Sequence, residues 1–158
     1  MKAARPGVFT DRGGNGLLFS ASESNNLHSL WDRCLPGVVS GASCSGGPDG
    51  FTPLAAHLTG LMTASAVAAA ATPGDHHGWP AAWVTDSLQR AVVTHAYPSS
   101  LQQGRVKPGA HADDDSILAK IATPTKNAYT ANHVGAARTQ LVKAAVRLAA
   151  MLNAIVWP

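Results

Sequence analysis

Residues 26–32 read NLHSLWD, and the fold turns on how this short run is taken. It opens beside an asparagine pair, Asn25 and Asn26, either of which can cap a helix by accepting a backbone N–H on its side-chain oxygen. A helix that starts there sets His28 and Asp32 four positions apart, on one face and roughly 6 Å from each other. An imidazole nitrogen and a carboxylate oxygen aimed at one point have metal-ligand geometry, and zinc accepts both atom types. A zinc site generally needs at least three protein ligands, and the same spacing also makes an ordinary surface hydrogen bond.

On the upstream side, residues 8–20 are short and apolar around DRGGNG. Gly-Asn-Gly supplies the positive φ angles that tight turns require, so a small β-hairpin or extended excursion is expected there. On the downstream side, the Gly, Ser and Pro content of residues 35–53 predicts a long loop. Cys34 and Cys44 flank part of it. A local disulfide would suit an exported protein, and two buried thiols are the alternative.

Helical periodicity then takes over. A first helix is predicted over about 53–71, ended by TPGDHHGWP, where Gly and Pro sit on both sides of two histidines. Its apolar run is too short to span a bilayer and reads as a buried Ala-rich helix. A second is predicted over about 80–95, with Trp83, Val84, Leu88, Ala91 and Val92 on one face. YPSSLQQGRVKPGA reads as loop. Asp113, Asp114 and Asp115 stand where acidic residues help to start a helix, ahead of Ile117, Leu118 and Ile121. In the last helix, Val134, Ala137, Leu141, Ala145, Leu148 and Leu152 recur at three- and four-residue steps, with Arg138, Lys143 and Arg147 off that line.

The chain of 158 residues has one domain's length, and its 46% hydrophobic and 13% charged residues, rich in Ala, favour helix over a β-sandwich. A net charge of +3 would suit a polyanion without requiring one, and no Lys/Arg run alternates with aromatics as in a dedicated nucleic-acid groove. The start, MKAARPGVF, has basic residues but no apolar core, so no signal peptide is expected there. There is no Gly-rich phosphate loop, Gly-x-Ser-x-Gly elbow or Cys-x-x-Cys. Asp75, His76 and His77 offer ligand atoms, but adjacent His side chains on a Gly/Pro loop are expected to diverge into solvent. His57, His95, His111 and His133 lie on separate elements and read as ordinary polar or helix-end residues.

Taken together, DRGGN at residues 11–15 followed by NLHSLWD resembles the zinc-dependent single-strand nucleases of the S-one/P-one type, fold relatives of bacterial zinc phospholipase C. Residues 80–101 are similar to that family's Trp-x-x-Glu-Ser helix, with Asp86 in place of Glu. Residues 129–155 are similar to its C-terminal helix. The resemblance implies a mainly α-helical phospholipase C-like fold in one domain, with the hairpin and ligand segment at 8–35, a loop at 36–53 and helices over 54–158. It also implies a cluster of three zinc ions that hydrolyses phosphodiesters of single-stranded RNA and DNA and removes 3′-phosphates from nucleotides, in a secreted or periplasmic protein with no membrane partner.

On this resemblance His28 and Asp32 match two ligands of one zinc, and Arg33 stands where many members carry a small polar residue. The family's remaining ligands lie upstream of the GGN turn. The expectation is therefore a partial zinc site in a chain that resembles the C-terminal half of a nuclease, with little activity alone and a missing N-terminal half as partner. A non-catalytic helical binding domain or truncated remnant is the alternative.

Overall fold

Helix dominates the chain, as its Ala-rich composition predicts. The computed structural model describes residues 14–20, 22, 25–44, 51–98, 100–101, 105–107 and 116–154. In chain order the elements are β1 (Leu17–Leu18), α1 (Leu27–Ser29), a π-helical segment (Leu30–Cys34), α2 (Leu35–Val39), α3 (Phe51–Leu61) and α4 (Ala64–Ala70). A 3-10 turn (His76–Gly78), α5 (Trp79–Val93), β2 (Ser100–Leu101), β3 (Arg105–Lys107), β4 (Ser116–Thr123) and α6 (Lys126–Ala154) follow. They fall into two compact units, Met1–Asp32 with Pro98–Ala131, and Arg33–Tyr97 with Asn132–Pro158.

The first unit is organised around β4. It pairs in parallel with β1 (Leu17↔Ala119, Leu18↔Lys120) and antiparallel with β2 and β3 along other stretches of its length. The predicted helix through Ile117, Leu118 and Ile121 is thus a strand, and the predicted loop after Tyr97 contains two short strands. The pattern of burial explains the difference: Ala119 and Ile121 are buried while Lys120 between them is exposed, a period of two. Three strand partners satisfy the β4 backbone, and such long-range pairing overrides local helix propensity. The acidic run Asp113, Asp114, Asp115 lies outside the described residues.

Of the expected hairpin, residues 8–13 also lie outside the described residues. Leu18 forms an antiparallel bridge with Asn26, and the Phe19 N–H donates to the Asn25 carbonyl at 2.9 Å. Leu17, Leu18, Leu27, Leu30 and Tyr129 are buried in this unit.

In the second unit, the predicted loop over 35–53 contains α2 and the start of α3. Pro36 sits at the first turn of α2, where its missing N–H costs nothing. A Cys34–Cys44 disulfide brackets α2, which settles the choice between bonded and free thiols. With a sequence separation of 10, loop closure of this kind removes about 3 kcal/mol of unfolded-chain entropy.

The predicted helix over 53–71 is two helices meeting at 93°, because Thr63 breaks the run and caps α4 by accepting the Ala66 N–H on its hydroxyl. Leu54 and Ala70 are buried, but most of this pair is exposed rather than buried as expected. Among the described residues, no single helix is long and apolar enough to cross a membrane.

The two long helices extend nearly as predicted, yet their inward faces differ from the apolar lines. Val84, Leu88 and Val92 of α5 and Leu148 and Leu152 of α6 are exposed. Instead Asp86 accepts from Lys143 Nζ at 2.7 and 2.9 Å and from Arg147 Nη2 at 2.7 Å. The Arg147 guanidinium also lies 5.8 Å from the Trp83 ring. A three-residue ion cluster therefore joins α5 to α6, while Ala137, Val142 and Val146 form the buried face of α6 and the exposed apolar residues lie off the contact. His133 of α6 is buried, its Nε2 3.0 Å from the Thr94 carbonyl.

Candidate metal centre

Of the two asparagines, Asn26 is the cap. Its backbone is extended and its Oδ1 accepts the Ser29 N–H at 2.7 Å, while Asn25 turns its amide to the Ser20 hydroxyl. The helical run that follows buries Leu27, Leu30, Cys34 and Leu35 and leaves the opposite side open. On that open side His28 Nε2 and Asp32 Oδ2 stand 2.8 Å apart, with 45% and 59% of their side chains exposed. The spacing predicted this meeting. The π-helical widening from Leu30 was not legible, and such widenings are frequent at functional sites.

The GGN turn has a structural role here. Gly14 has φ +91°, a conformation that side-chain-bearing residues rarely adopt, and its carbonyl accepts both the Leu17 N–H at 3.2 Å and the His28 N–H at 3.4 Å. His28 lies in the first turn of α1, where N–H groups lack partners within the helix, so Gly14 satisfies one of them. A Cβ at Gly14 would stand 3.2 Å from the His28 nitrogen. The turn and the ligand segment are therefore one device.

Behind the pair, Trp31 Nε1 donates to Tyr129 Oη at 3.0 Å, and the Trp31 and Phe19 rings both meet Tyr129 edge to face. Burial pushes the Tyr129 phenol up to about 12, with the Trp31 hydrogen bond pulling the other way, so the phenol keeps its proton at neutral pH. Tyr129 positions the segment between the two donors, a role the sequence did not disclose. The signal that could have pointed to it is the tryptophan inside NLHSLWD, whose N–H needs a partner once covered.

An imidazole nitrogen and a carboxylate oxygen, converged and open to solvent, fit two positions of a zinc shell. Donors in such a shell lie ~3.4 Å apart for bonds of about 2.1 Å, so the pair would open slightly around an ion. Among the described residues, no third His, Cys, Asp or Glu joins them in a three-ligand group. Arg33 follows on the exposed side.

The other predicted candidates are dispersed. His57 is half-buried on α3, His95 occupies a left-handed turn after α5 with φ 51°, and His111 lies outside the described residues. Asp75, His76 and His77 do come together. Asp75 caps the 3-10 turn by accepting the His77 N–H at 2.8 Å, and the two imidazoles lie with centroids 4.2 Å apart instead of diverging. The tight turn, which brings successive side chains to one side of Asp75, is the reason.

No curated protein and no solved structure matches the chain. A family model described as S1/P1 Nuclease matches residues 6–157, nearly the whole length and including both the GGN turn and the His28/Asp32 segment. The chain belongs to the S1/P1 nuclease family.

Proposed function

We propose that the protein serves in zinc-dependent hydrolysis of phosphodiester bonds in single-stranded nucleic acids and of 3′-phosphates in nucleotides, with His28 and Asp32 as two ligands of one zinc. The observation that carries this reading is the 2.8 Å convergence of an imidazole and a carboxylate on an exposed helical face, braced by Gly14 and Tyr129, in a chain of this family. Zinc held there supplies Lewis acidity toward a phosphoryl oxygen and toward water.

The chain's own contribution is positional. Asn26 and the Gly14 carbonyl hold the first turn, the Trp31–Tyr129 bond holds the next, and the two donors are thereby aimed at one point before any ion arrives. Pre-aimed donors lose less entropy on binding. A complete zinc site needs at least one further protein ligand, which in this reading comes from outside the described residues. In this reading the protein works outside the cytoplasm, and the Cys34–Cys44 disulfide supports that setting.

The test pairs zinc titration, followed through the His28 imidazole resonances, with hydrolysis of a single-stranded oligonucleotide in added zinc. His28→Ala and Asp32→Ala should each weaken zinc binding at this segment at least tenfold and remove whatever hydrolysis the parent shows. Zinc that leaves the His28 resonances unmoved, or a His28→Ala variant as active as the parent, overturns the assignment.

A further inference from the structure

The loop before α5 carries a second set of donors that the His28/Asp32 reading does not use. Ligand atoms of Asp75, His76 and His77 all lie within 4.8 Å of one another, and all three residues are exposed. Among the described residues no other three His, Cys, Asp or Glu side chains converge in this way. The geometry points to a binding site for a divalent transition-metal ion such as zinc, formed by the Asp75 carboxylate and the His76 and His77 imidazoles.

Two independent features support it beyond proximity. First, the loop is held in place on both sides of the turn: Trp79 Nε1 donates to the Gly74 carbonyl at 3.1 Å, and Trp83 Nε1 donates to the Thr72 hydroxyl at 2.7 Å. The two indoles lie 5.9 Å apart with their rings tilted by 30°, and Gly74 at φ +86° turns the chain into Asp75. Second, the donors are already oriented. Asp75 Oδ1 stands 3.5 Å from His76 Nδ1, close to the ~3.4 Å that two ligands of one tetrahedral zinc keep. Trp79 meets His76 edge to face at 6.3 Å and limits how that ring can swing.

The chemistry of the set selects the ion. Two imidazoles with one carboxylate favour zinc, copper and nickel, whereas calcium and magnesium take oxygen ligands. Holding one ion would bring the donors from within 4.8 Å to about 3.4 Å of one another. Three protein donors leave a fourth tetrahedral position to water or an added ligand, the pattern of an open rather than a sealed structural site.

The experiment titrates zinc chloride into the whole protein and follows the imidazole resonances of His76 and His77 together with bound zinc by equilibrium dialysis. These resonances should shift and saturate with one ion, and should do so equally in a His28→Ala/Asp32→Ala variant, which isolates this loop. In that same background, His76→Ala/His77→Ala should lower affinity at least tenfold without moving the melting curve, since both side chains are exposed. Asp75→Asn keeps an oxygen to cap the turn but loses the charge, and should weaken zinc several-fold. Resonances that stay unmoved at millimolar zinc, or a double alanine variant that binds zinc as the parent does, overturn the proposal.

Discussion

Replacing Asp86 by asparagine tests how the second unit joins α5 to α6. The carboxylate accepts three short hydrogen bonds from two cations, Lys143 and Arg147, whose side chains are only 16% and 13% exposed. A hydrogen bond to a charged group is worth about 1.5–3 kcal/mol, so two cationic partners give ~3–6 kcal/mol before screening. Asp86 itself keeps 31% exposure, and solvent screening of that side reduces the expected loss to about 2–3 kcal/mol. For a chain of this length the loss corresponds to a fall in Tm of about 4–12 °C.

The Lys143 hydrogen bond, followed by that of Arg147 and the charges of both, holds the Asp86 carboxyl below its usual range against an opposing effect of burial. A depressed folded-state value means that the stabilisation is complete above the unfolded value of about 3.9 and is lost as pH falls through the folded one. The difference between parent and Asp86→Asn should therefore be constant from neutral pH to about 5 and shrink progressively as pH falls through and below the unfolded value of about 3.9. Urea unfolding followed by circular dichroism reads the loss, and a double-mutant cycle with Lys143→Met reads the pair alone. A coupling energy under ~0.3 kcal/mol would show that these bonds do not hold the helices, and would refute the reasoning.

Gly14→Ala should destabilise the first unit by about 2 kcal/mol or more, since the positive φ alone costs about 1–2 kcal/mol and the new Cβ meets the backbone nitrogen of His28, which cannot swing aside. The same variant should shift the His28 resonances; a parent-like urea midpoint would contradict the bracing role of the turn. Leu88→Lys should change stability by less than about 0.5 kcal/mol, because Leu88 is 64% exposed. A loss above ~1 kcal/mol in the same melt would restore the apolar face predicted from periodicity.

Features encoded within a few residues were legible in the sequence: a cap in the Asn25–Asn26 pair, the meeting of His28 with Asp32, the turn at Gly14, and the approximate spans of α5 and α6. Each depends on local backbone geometry, which spacing and residue type report directly. The mainly helical class followed in the same way from an Ala-rich composition. Family membership was legible in the resemblance carried by the GGN turn and the NLHSLWD segment together, and the family match over residues 6–157 agrees with it.

Tertiary structure decided what depends on distant partners. Residues 116–123 are a strand because β1, about a hundred positions earlier, lies alongside them. Trp31 finds Tyr129 across 98 positions, which no local pattern announces. The faces that α5 and α6 turn inward include Asp86 meeting Lys143 and Arg147, 57 and 61 residues away, which the apolar lines alone did not indicate. Periodicity reports which side of a helix is greasy; where a charge finds two opposite charges on another helix, the ion cluster shifts the contact, and part of the greasy side, Leu88 and Leu148 among it, is left to solvent.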